Sequence, residues 1–354
     1  MFRLKKRFHL VLAAVPVLGA GLASAAPPEG RTALFLTATN GATNYLAIIN
    51  TQSQEVNYIP TGGSGGASQN AGGVAVTGEM AAVVNFGSKS VTIFVRAGNT
   101  MQPTQMIKTV AAPVSVTFGH GHLAVLETTI AESFPMFGNT VMSTADGAVP
   151  LALADGSAAQ IVSYAGGVVY SEKTGSVAEL NLSTDGFPGI SGPNVVVPLP
   201  PAPNNNTPFG MAARDSNVYV TIAHSDLQAL VVDGKIASMA EGPTPFMDKS
   251  GNITHAPCWN TLSGQFLFSS DSPGKQILRY LVSDANIFFD KAGVATLMGA
   301  PTDLAAAGSI LAVIDGGDGT NSNASVFDIS SEGELALRFT VKIPSPINGA
   351  AIIQ

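Results

Sequence analysis

A single cysteine, Cys258, stands beside a single tryptophan, Trp259, in a chain of 354 residues. One thiol cannot form an intramolecular disulfide, so stability must come from burial and from the way the fold closes on itself. Charge is also scarce: charged side chains make up 12% of residues and apolar ones 45%. Such a composition excludes a disordered chain and supplies a large core. No His-Glu-x-x-His pair or phosphate-cradling Gly-Lys loop occurs, so zincin and nucleotide chemistry have no motif to rest on. No cofactor and no metal are expected. No long helical period appears anywhere, whereas Gly (38) and Pro (22) are frequent, as many tight turns between short strands require.

Long apolar runs are missing too, with one short exception at the start. A basic MFRLKKR is followed by about 15 apolar residues, FHLVLAAVPVLGAGL, and by Ala23-Ser24-Ala25. This is the pattern of a secretory signal peptide over residues 1–25. A membrane anchor is the alternative, but a spanning helix needs roughly 20 apolar residues. No stable membrane insertion is expected after cleavage, and the predicted location is secreted or periplasmic. Removing Arg3, Lys5, Lys6 and Arg7 leaves 13 Lys and Arg against 24 Asp and Glu, a net charge of −11. An acidic chain argues against nucleic acid and anionic membranes as partners. A small-molecule ligand and a protein partner both stay open.

The stretch Ala71 to Phe94 contains three short apolar strands joined by polar turns, and related units recur along the chain. Innermost strands are predicted to begin near Gly72, Val114, Gln160, Phe209, Ala256, Thr302 and Asn348, at spacings of 42, 46, 49, 47, 46 and 46 residues. A period of 40–50 residues with four short strands per unit is the signature of propeller blades. The fold class is therefore all-β: a seven-bladed β-propeller formed by residues 26–354 as one domain. The ends predict how it closes. INGAAII, over Ile347 to Ile353, reads as an inner strand with no second strand after it. ALFLTATN and NYLAIIN, near the start, read as second and third strands with no inner strand before them. Pairing the two completes one blade. Two segments break the period: 128–157 is predicted to carry an inserted loop or hairpin in the third blade, and 187–207, with PLPPAPNNNTP, a surface connector between blades four and five.

In a blade, the end of the second strand and the start of the inner strand meet on one face beside the axis. The second-strand ends Asn85, Glu127, Glu172, His224, Asp271 and Asp315, with Asn70, Phe209, His255, Asp303 and Asn348 opening inner strands, are the predicted ring. Glu172 or Glu127 could act there as a general base, and His255 as an acid. Asn85, Phe209, His224, Asp271, Asp303 and Asp315 are candidate substrate contacts. Each has a plainer reading: turn capping for Asn85 and Asp315, a solvated channel lining for the glutamates, a backbone cap for His255. DGGDGTNSN, from Asp315 to Asn323, lacks the ligand spacing and closing Glu of a calcium loop. His120 and His122 read as turn residues on the opposite face, and Cys258 as a small buried side chain.

Between Thr207 and Val282 the segments TPFGMAA, NVYVTIA, HAPCW and SGQFLFSSDSPGKQILRYLV resemble secreted lactonase-like seven-bladed propellers, the group that includes 6-phosphogluconolactonase and 3-carboxymuconate-cyclase-type proteins. VVNFGSKSVTIF resembles their generic blade. The resemblance implies a seven-bladed propeller and hydrolysis or formation of a lactone, with His, Glu and Arg groups at the axial face; a lactonase-type hydrolase or a cycloisomerase is the implied enzyme. His255 matches a blade-opening His, and no Arg falls among the ring positions. The alternative is a non-catalytic binding or scaffolding propeller.

Overall fold

Seven antiparallel sheets, each with a path of four strands, make up the computed structural model, which describes residues 31–354 except 69, 183–188, 200–206, 244–249 and 251–253. The signal-peptide expectation at 1–25 lies outside the described residues; of the predicted 187–207 connector, Ser191–Val196 is instead the outer strand of blade 4, paired to Ser176–Asn181, and 187, 188 and 200–206 lie outside the described residues. Among the described residues the one helical element is the 3-10 turn Ala223–Ser225. Blade 1 is built from both chain ends: the last strand, Asn348–Ile353, pairs with Leu34–Ala38, followed outward by Tyr45–Asn50 and Val56–Pro60. Leu34 faces Ile353 and Phe35 faces Ile352 in that antiparallel register, so the predicted closure is the observed one. Blades 2 to 7 follow in chain order, over 74–108, 113–150, 158–196, 208–241, 257–296 and 301–344.

Period-two alternation decides which neighbour each side chain meets. In the second strand of blade 1, Leu34 and Leu36 pack in a cluster with Val83 and Phe94 of blade 2. Phe35, between them, packs with Ile314 and Val326 of blade 7. Both faces are thus covered, which is why second strands such as Met80–Asn85, His122–Glu127 and Phe266–Asp271 are buried along their whole length. Among the described residues there are seven such clusters, one at each junction between neighbouring blades. Outer strands alternate with exposed residues, as in Thr100–Lys108. Small polar side chains tie the inner edges together: Ser115 donates to the Gly72 carbonyl, Ser171 to that of Phe209, Thr221 to that of Cys258 and Ser272 to that of Pro301.

Residues 128–157 are only in small part an insertion. They supply the third strand of blade 3, Ile130–Phe137, and its outer strand, Gly147–Pro150; the extra piece is the short strand Thr140–Val141, paired to the far end of the third. The polar IAESFPMF hid this strand from a hydrophobic pattern, because Glu132 and Ser133 are buried there by hydrogen bonds instead of by apolar packing.

Closure gives a direct test. Ile353→Ala, in the strand that joins the chain ends, should lower unfolding free energy by about 2–5 kcal/mol, read from denaturant melts. A loss comparable to that of an exposed substitution would mean the ring does not depend on this strand.

Candidate functional site at the propeller axis

The side chains that end the second strands turn away from the axis and fasten the connectors between blades. Asn85 accepts from Asn44 at 3.0 Å and Thr61 at 2.7 Å, and donates to Thr92 at 2.9 Å. Glu127 accepts the Ala111 N–H, and Glu132 on the neighbouring strand accepts that of Val110 at 3.2 Å. Glu172 accepts the N–H groups of Leu153 at 3.0 Å and Ala154 at 2.8 Å. Asp315 accepts from Gly317 and Asn323, both at 2.8 Å. In DGGDGTNSN, Asp318 binds its own turn through the Asn321 and Thr320 N–H groups and pairs with Lys342, which together hold its carboxyl down at about 2. These carboxylates do the work that helix caps do elsewhere, satisfying backbone donors that burial would otherwise orphan.

Burial leaves its mark on the two glutamates proposed as bases. Desolvation, reinforced by a hydrogen bond to the Glu132 carboxyl, pushes Glu127 up to about 9, so it holds a proton at neutral pH. Desolvation also raises Glu172, opposed by its two backbone donors. Glu127 and Glu172 sit in separate blades, each engaged with its own connector, and neither hydrogen-bonds His255.

His255 has a different setting. Its Nδ1 lies 2.8 Å from Asp271 Oδ2, and its side chain is 23% exposed. Asp271 also accepts from the Ala256 N–H at 3.0 Å and from Gln276 Nε2 at 2.8 Å, so the imidazole is firmly oriented. An oriented His–Asp pair is half of a nucleophilic site. The neighbouring Cys258 does not complete it: its thiol donates to the Ala256 carbonyl, and desolvation pushes it up to about 12. Ser272 is occupied with the Pro301 carbonyl at 2.6 Å. His224 lies past the second strand of blade 5, exposed, with Nδ1 2.6 Å from the Thr207 hydroxyl.

The mouth of the channel on this face is closed by the chain itself. Residues 70–73 run across it. Asn70 donates to the Val114 carbonyl and receives the Trp259 indole N–H at 2.9 Å; Ala71 donates to Ala159 at 3.1 Å; Gly72 donates to Asp303 at 3.1 Å. Four other blades are tied to this one segment. A β-carbon on Gly73 would collide with Asn348, and Gly72 has φ of +65°, so both need glycine. Phe209 and Trp259 pack edge to face beside the segment, ring centres 5.0 Å apart.

Beneath this plug lies a cavity of about 330 Å³ lined by all seven inner strands. Its lining includes small residues such as Ala75, Thr117, Ala213, Thr261 and Ala305 beside Gly72, Gln160, Asn260 and Asp303, and the surface they present to the cavity is more polar than apolar. Of the predicted site residues only Asp303 is in this lining. Desolvation pushes it up to about 7, against the N–H groups of Gly72, Leu304 and Ala350. Among the described residues it is the one ionisable residue lining the cavity.

Two buried features depart from the sequence reading, which made His122 a turn residue and passed over Asp226. His122, at the start of a second strand, is fully buried; its Nδ1 faces the His120 carbonyl at 2.8 Å and its Nε2 faces Asp146 at 2.9 Å. Asp146 lies 24 residues away in the added hairpin, which no local pattern reveals. Asp226 occupies a left-handed position (φ 53°) after the 3-10 turn, with both carboxylate oxygens buried and unpartnered, and desolvation pushes it up to about 7. The second strand of this blade ends at Ile222, so the expectation of a strand end at His224 lay two residues too late; His224 sits in the 3-10 turn instead.

No protein-family model and no curated protein matches the sequence. Solved structures do match. A candidate 6-phosphogluconolactonase of Bacteroides fragilis superposes with a TM-score of 0.69 at 13% identity, covering 93% of this chain and all of that one. The fold it shares with this chain is the seven-bladed β-propeller. A Lactobacillus plantarum protein (TM-score 0.66, 12% identity, 92% of this chain and all of that one) and a second candidate 6-phosphogluconolactonase, from Bacteroides uniformis (0.63, 13%, 91% and 99%), share it. At such identity the likeness of this propeller to them is one of fold.

The Glu127–Glu132 pair makes stability fall with rising pH. An acid with a raised folded-state pKa keeps its proton after the unfolded chain has lost its own, so its contribution drains away between about 4.5 and about 9. Relative to Glu127→Gln, the wild type should lose stability steadily in melts at pH 5, 7 and 9. A constant difference across that series would rule out the shared proton.

Proposed function

We propose that this chain is an exported lactonase-like propeller that binds a small neutral molecule in its axial channel and does not turn over lactones. The observation that carries the reading is the plug formed by 70–73, which covers the face where axial chemistry was expected. The arginines agree with it. All five in the described residues are spent away from the cavity lining: Arg31 on Glu79, Arg96 on the Thr32 carbonyl, Arg214 on that of Gly264, Arg279 on Asp290 and Glu334, and Arg338 on Asp328. A phosphorylated or carboxylated substrate would lack the bidentate clamp that binds such groups well. Asp303 as the only ionisable lining residue further disfavours anions. A neutral lactone or polyol suits the remaining walls, which offer hydroxyl, amide and small apolar groups.

The rival is hydrolysis at His255, favoured by its exposed ring and its bond to Asp271. In that case water attacks the lactone carbonyl with His255 moving the proton. The two are separated with purified mature protein on neutral sugar and aromatic lactones. The expected result is no rate above the uncatalysed reaction, together with a ligand-dependent rise in melting temperature that the channel-filling variant Ala213→Phe removes. Turnover that His255→Ala abolishes would overturn the proposal.

A further inference from the structure

A second concavity, remote in composition from the axial channel, lies between the two blades joined by ring closure. It is a cleft of about 330 Å³ between blade 1 and blade 7, lined by Tyr45, Tyr58, Thr39, Thr43, Pro344 and Ser345, with Gly41. Strand register explains why two tyrosines share it. Tyr45 pairs with Pro60 and Tyr58 with Ala47, so the rings are diagonal neighbours on one face of the hairpin. That face looks toward blade 7, because Ala47 packs in the cluster shared with Ile314, Ala324 and Ile343. Blade 7 contributes the opposite wall at its last strand residue, Pro344, and at Ser345.

The chemistry of the lining is narrow. Among the described residues no carboxylate, amine, guanidinium or imidazole belongs to it, so it suits a neutral ligand. Tyr58 is 40% exposed, and burial of the rest raises its phenol above the usual value, so it is a hydrogen-bond donor at any physiological pH. Thr39 accepts the Tyr45 N–H at 2.9 Å and keeps its own hydroxyl hydrogen to give; Ser345 shares a 2.7 Å bond with Ser322. Aromatic faces edged by hydroxyls match a ring that is apolar on its C–H faces and polar around its rim. We propose that this seam cleft binds a neutral pyranose sugar, stacked on Tyr45 and Tyr58 and hydrogen-bonded by the Thr39, Thr43 and Ser345 hydroxyls. A ligand there bridges blades 1 and 7 and therefore favours the closed ring.

The test uses the full mature protein with methyl α-D-glucopyranoside, methyl β-D-galactopyranoside and methyl α-D-mannopyranoside, with glucuronate and tetrahydropyran as anionic and non-hydroxylated controls. Binding is read by saturation-transfer NMR and calorimetry. The expected result is saturable binding of at least one neutral pyranoside, weakened tenfold or more by Tyr58→Ala and by Tyr45→Ala and unchanged by Ala213→Phe. Tyr58 is exposed enough that its variant should keep the wild-type circular dichroism and melt, so it decides the matter even if Tyr45→Ala folds poorly. No binding of any neutral pyranoside, equal binding by both tyrosine variants, tighter binding of either control, or loss confined to Ala213→Phe would overturn the proposal. The last of these outcomes would leave the axial-channel reading standing, whereas absent lactone binding with intact seam binding would sink only that one.

Discussion

The antiparallel pairing of Asn348–Ile353 with Leu34–Ala38 is the contact on which the whole ring rests. A propeller blade cannot bury its two faces alone; each needs a neighbour on both sides. An open row of seven would leave two apolar faces and one unpaired strand edge in water. By supplying the inner strand of blade 1 from the far end of the chain, the molecule removes that edge and brings blades 7 and 1 together over Phe35, Ile314 and Ile352. A chain with one cysteine has no covalent substitute for this.

The same economy governs the centre. Inner strands crowd the axis, and only small side chains fit there, so the space they leave must be closed or used. Here it is both. Residues 70–73 cap one mouth through bonds to four other blades, and below them stays a cavity walled by alanine, threonine and valine. The carboxylates at second-strand ends, which look like catalytic candidates in a linear reading, serve the connectors: Glu172 holds Leu153 and Ala154, Asp271 holds Ala256 and His255. A buried acid with backbone donors on its oxygens has little left to offer a substrate. His255 is the exception, being oriented by an acid and partly open to solvent.

The extra hairpin strand of blade 3 shows how local and distant information divide. The third strand Ile130–Phe137 was missed because a run containing Glu132, Ser133 and Pro135 does not read as a strand until its partners are known. Asp146, returning from the hairpin, binds both His122 and Ser133, and Ser133 in turn receives the Ile190 N–H at 2.8 Å. Such a polar network packs like a core while spelling like a loop. By contrast, ALFLTATN and INGAAII declared their partnership in the sequence, because each lacked a strand that the other could provide.

Blade number, strand order and closure were determined by sequence alone, since they follow from a repeated hydrophobic pattern whose period and phase survive at any position. Which way a polar residue faces at the end of a strand was decided only in three dimensions. At that point the pattern stops, and a β-bulge shifts the register, as between Pro257 and Asn260 or Pro301 and Asp303. One residue of shift moves a side chain from channel to connector, so the difference between a ring of catalytic acids and a set of buried fasteners was never written in the spacing.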